Sequence, residues 1–148
     1  MSETDSEASD YLTAFRGSFT SALRWHHLED LWETVRQQTK SDWYIYAVGE
    51  TPPVECASSE QLFAFINEVD ALLRREHDED YCGIVYADNP IDPAFIKIYD
   101  PNNLGVSCGF SDNPPLPGWI LSKLRPCDLQ ANLILPGNRK RWWRRLFG

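Results

Sequence analysis

The chain has 148 residues, 43% of them hydrophobic, 13% aromatic and 24% charged, with a formal net charge of -8. That supplies one domain with a core, leaves too little length for two comfortable ones, and excludes a wholly disordered polymer. No window approaches the roughly 18 consecutive apolar residues that a spanning helix needs.

Residues 1–9 hold little to bury and read as a flexible acidic arm. The opening MSETDSEASD lacks the basic-then-apolar pattern of a secretory leader. The expectation is a cytoplasmic protein with reduced cysteines.

Residues 10–39 carry helical periodicity in two stripes. At about 100° per residue, Leu12, Phe15, Phe19, Ala22 and Leu23 share one stripe, and Trp25, Leu28, Leu31, Trp32 and Val35 share a second. The stripes lie on nearly opposite sides. A straight helix would need partners on both faces; a bend near Arg24 gives two shorter helices, and the bend is the preferred reading.

WYIYAV, residues 43–48, is β-branched and aromatic and apolar on both faces, which predicts an interior strand. Gly49 and the pair Pro52–Pro53 open a loop. A helix follows over 59–76, with Ser58 as cap, Gln61 completing a capping box, and a stripe of Leu62, Phe65, Ile66, Val69, Leu72 and Leu73. Asp70 and Arg74 pair at i, i+4 on its outer side. Strands are predicted over 82–87 and 95–99, joined through Asp88-Asn89-Pro90, and a third over 106–110 after a turn at 100–105. Residues 119–124 are a short strand or a helix, and Leu133 to Leu135 form a short apolar patch. The order predicts an α+β fold: an N-terminal helix or helix pair, a strand, a second helix, then an antiparallel meander, with helices on one face of the sheet. Residues 10–138 form the single domain of this reading.

The charge is split along the chain. Residues 139–148 hold Arg139, Lys140, Arg141, Arg144 and Arg145 and no acid; the other 138 residues carry 9 bases against 22 acids, a net of -13. In RKRWWRRLFG, Trp142, Trp143, Leu146 and Phe147 fall in one helical arc, with Lys140, Arg141, Arg144 and Arg145 opposite. Such a tail suits a groove on a partner protein or an anionic membrane surface. Nucleic acid is disfavoured, because the acidic body repels a polyanion. The alternative is that the tail docks on its own body and both indoles complete the core.

EHDED, Glu76 to Asp80, crowds four acids at a helix C-terminus, where the macrodipole is already negative. A solvated turn is the plain account. Glu76, His77 and Asp78, with Cys82, are the donor types of a metal site, but no EF-hand register fits. His26 and His27 are helical neighbours that do not easily share one ion. Cys56, Cys82, Cys108 and Cys127 form no C-x-x-C pair, and strand cysteines such as Cys82 and Cys108 usually serve as small apolar residues. Asp88 and Asp100 flank turns, where a carboxylate bonds the backbone more often than it does acid–base work.

The sequence holds no G-x-S-x-G, P-loop, G-x-G-x-x-G or H-E-x-x-H motif. These observations favour a non-enzymatic binding or accessory protein without a cofactor, whose tail residues Arg139 to Arg145 and Phe147 meet the partner. A small metal-dependent enzyme built on residues 76–80, and an acidic mimic of nucleic acid, are the alternatives.

Overall fold

A computed structural model describes residues 10–38, 42–77, 79–101 and 116–129. In chain order, α1 covers residues 10–15, followed by β1 (Thr20–Ser21), α2 (Trp25–Gln37), β2 (Tyr44–Ala47), α3 (Ser59–Glu76), β3 (Val85–Ala87), β4 (Phe95–Ile98) and β5 (Trp119–Ser122). The strands form one antiparallel sheet in the order β1-β3-β4-β5-β2. The α+β class and its approximate order are as the sequence implies.

The period-two alternation of the strands sorts side chains onto two faces. Ile45 and Ala47 of β2, Ile96 and Ile98 of β4, and Trp119 and Leu121 of β5 join one buried cluster with Leu28, Trp32 and Val35 of α2 and Phe65, Ile66, Val69 and Leu73 of α3. The intervening residues Tyr46, Phe95 and Ile120 join Tyr11 and Val48 in a second cluster, against which Ala14, Phe15, Phe19, Cys127 and Leu129 pack. The two long helices therefore share one face, as expected, and the N-terminal segment covers part of the other.

This arrangement explains the opposed stripes over residues 10–39. The chain does break there, and it breaks by adding a strand. Ala22 N–H donates to Val85 C=O at 2.8 Å, and Thr20 pairs with Ala87. α2 then begins directly after Arg24, whose backbone is extended.

α3 matches its signals closely. Ser58 Oγ accepts from Gln61 N–H at 3.1 Å, and Gln61 Oε1 accepts from Ser58 N–H at 3.0 Å, which satisfies two end groups reciprocally. At the other end His77 N–H reaches Leu73 C=O at 2.8 Å.

Two strand expectations change. β2 pairs with β5 alone among the described residues, so it lies at an end of the described sheet and not in its interior. Its two-sided apolar character comes from cover on both faces. β4 takes β3 and β5 as its neighbours, so the third strand of the meander is residues 119–122. The strand expected over 106–110, the patch at 133–135, the arm 1–9 and the tail 139–148 lie outside the described residues. Among those described, no helix is long and apolar enough to cross a membrane.

Candidate functional site

The seam between α2 and α3 gathers the body's polar chemistry. Trp32 Nε1 donates to Asp70 Oδ1 at 3.1 Å, and Arg74 Nε donates to Asp70 Oδ2 at 2.9 Å. Arg74 also reaches Glu29 at 3.0 Å and sits 5.0 Å from the Trp25 ring centroid. The i, i+4 pair read from sequence is thus one arm of a bridge to α2. Arg36 completes the seam with a 2.9 Å bond to Asn67 Oδ1.

The acidic stretch at the end of α3 is organised by aromatic rings. His77 lies edge-on to Trp25, with centroids 6.3 Å apart, and to Tyr81 at 6.0 Å. Trp25 Nε1 donates to Glu79 C=O at 3.0 Å. His77 Nε2 is buried and bonds nothing among the described residues. Glu76 faces Arg75 at 3.6 Å. Cys82 is fully buried, and that burial pushes its thiol up, away from nucleophilic thiolate. Asp78 lies outside the described residues. Among those described, no group of three His, Cys, Asp or Glu side chains is placed to hold a metal ion.

His26 and His27 come closer than helical spacing suggests, with ring centroids 4.2 Å apart. His27 Nδ1 is occupied, because it accepts from Arg24 N–H at 3.2 Å at the start of α2. Asp88 Oδ1 accepts from the N–H groups of Asn89, Ala94 and Phe95 at 2.8, 3.0 and 3.1 Å. It is a turn organiser. Asp100 is buried beyond the far end of β4, where Gly118 packs against it. The two carboxylates flank opposite ends of one strand and do not converge.

No family model matches the chain, and no curated protein or solved structure matches it significantly. The site must therefore be read from its own chemistry.

On the second sheet face, Lys97 Nζ sits 4.1 and 4.0 Å from the ring centroids of Phe15 and Phe19. Burial pushes this ammonium below the usual lysine range, while the ring faces attract its charge. Lys123 lies 5.4 Å from the Trp43 ring centroid. Burial raises the Tyr11 phenol, with Tyr46 and Cys127 reinforcing the effect; the phenols of Tyr46 and Tyr99 are also raised chiefly by burial.

One concavity escaped the sequence reading. A groove of about 470 Å³ lies beside β1, lined by Thr20, Ser21, His27, Asp30, Thr34 and Ile91 among others. Its residues come from β1, α2 and the turn between β3 and β4. Only the pairing of β1 with β3 brings them together, and the helical periodicity of residues 10–39 conceals that strand. The tail residues Arg139, Lys140, Arg141, Trp142, Trp143, Arg144, Arg145 and Phe147, expected to meet the partner, lie outside the described residues.

Proposed function

We propose that the protein is a non-enzymatic binding or accessory protein of the cytoplasm, with an acidic body and a basic-aromatic tail that engages another macromolecule. The observation that carries this reading is where five of the body's nine cations are spent. Arg74 is held by Glu29 and Asp70, Arg36 by Asn67, Arg75 by Glu76, Lys97 by Phe15 and Phe19, and Lys123 by Trp43. The exposed side of α2 meanwhile carries Glu29, Asp30 and Glu33. The concentrated run of positive charge free of neighbouring acids in the sequence is residues 139–148.

Two indoles and a phenyl ring beside five cations suit a partner surface that is apolar at its centre and acidic at its rim. A protein partner is favoured over a bilayer because the -13 remainder of the chain is repelled by an anionic membrane surface.

Deleting residues 139–148 tests the reading. Loss of co-purifying protein, with the unfolding midpoint retained, supports it. Loss of flotation with phosphatidylserine vesicles would move the tail's target to the membrane. Unchanged capture together with a marked drop in stability would make the tail a part of the core and end the proposal.

A further inference from the structure

Among the described residues β1 is the end strand beyond β3, and an end strand carries main-chain groups that its own sheet leaves unpaired. Ala22 N–H is aimed at Val85 C=O. Alternation along an antiparallel ladder therefore turns the N–H and C=O of Ser21 away from β3, toward the open side. Ser21 Oγ is itself buried and bonds nothing among the described residues.

The groove lies along this edge. Asp30 contributes an exposed carboxylate, and among the described residues the lining includes neither Lys nor Arg. His27 Nδ1 is already an acceptor for Arg24 N–H, which leaves Nε2 as the ring's donor. Ile91 stands 87% exposed at the turn that forms one wall. Hydrogen-bonding backbone, one anionic side chain and an apolar lip thus surround the same volume.

We propose that this groove binds an extended, lysine- or arginine-bearing segment of a partner protein, which adds to β1 as one more antiparallel or parallel strand. Main-chain bonds to Ser21 set its alignment, Asp30 selects a basic side chain, and Ile91 covers an apolar one. Charge complementarity decides the occupant: among the described residues the lining holds a carboxylate and neither Lys nor Arg, and the chain as a whole carries -8. Because β1 is only two residues long, the side-chain groove contributes more than the ladder, and exchange with free peptide is fast.

The test is a titration of the isotope-labelled full chain with a short peptide of alternating lysine and valine, and with its glutamate–valine counterpart. The lysine peptide is expected to give saturable amide shifts confined to residues 20–34 and 87–91, and the glutamate peptide to bind at least about tenfold more weakly. Asp30→Lys, on an exposed helix position, is expected to invert that preference without changing the far-ultraviolet spectrum. Shifts elsewhere, equal response to both peptides, no response, or no inversion in Asp30→Lys would each overturn the proposal. Deletion of residues 139–148 interrogates the tail, and the groove's titration is read independently, so either surface can fail alone.

Discussion

The indole of Trp32 on α2 donates to Asp70 on α3 across 3.1 Å, and the same carboxylate receives Arg74 through its other oxygen. One acid therefore satisfies a nearly buried indole and anchors a cation. Asp70→Ala leaves the Trp32 N–H without a partner, and an orphaned buried donor costs about 1–3 kcal/mol. Asp70→Asn keeps an acceptor for the indole and is expected to cost less. Urea unfolding of both variants checks the order.

Gly118 is held by its neighbour. A Cβ built there would stand 3.1 Å from Asp100 Cβ, in a place where both residues are buried. Gly118→Ala is expected to lower stability by about 1–3 kcal/mol through overpacking. Thermal unfolding reads this directly, and an unchanged midpoint would mean that the strand end yields freely.

Alkaline conditions should weaken the fold. Tyr11, Tyr46 and Tyr99 all hold their protons more tightly when folded. Their contribution is complete below the ordinary phenol value, near 10, and is lost as pH rises through the higher folded values. Lys97 acts in the opposite sense. Its folded value lies below the ordinary 10.5, so it adds stability as pH climbs toward that figure. Three phenols outweigh one amine above pH 10. Guanidinium unfolding across that range should show falling stability, with phenolate absorbance lagging behind that of the unfolded chain. Tyr11→Phe should flatten the fall.

Reversing the charge between the two phenyl rings should loosen α1 selectively. Lys97→Glu places a carboxylate against the negative faces of Phe15 and Phe19. Hydrogen exchange of residues 10–15 is expected to accelerate while α3 keeps its protection. Equal acceleration in both helices would show that Lys97 supports the whole fold.

The thiols should separate by accessibility. Cys56 is exposed, and Cys82 is sealed in the core with its thiol raised by burial. Brief alkylation followed by peptide mass mapping should mark Cys56 first and reach Cys82 only in denaturant.

α3 was legible to the residue because its information is local: Ser58 and Gln61 close the start, and one stripe runs the whole length. β1 was not, because Thr20 and Ser21 sit inside a helical period and become a strand only by meeting Tyr86 and Ala87 far along the chain. Residues 119–122 were undecidable over so short a span; simultaneous registry with β4 and β2 makes them a strand. Cover on both faces gave β2 the look of an inner strand although it stands at an end of the described sheet. At the candidate site, the Asp70–Arg74 pair was visible from helical spacing, whereas its reach to Glu29 and Trp32 depends on how two helices lie against each other. The lining of the groove needs three separate segments to converge, which no periodicity records.

α1 and α2 flank opposite faces of the sheet, and β1 passes along its rim between them. Residues 10–37 thereby form a clasp closed around one border of the described sheet. A protease cut between residues 16 and 24 would spring it open, baring Phe95 and its aromatic neighbours while the α2–α3 seam stayed shut.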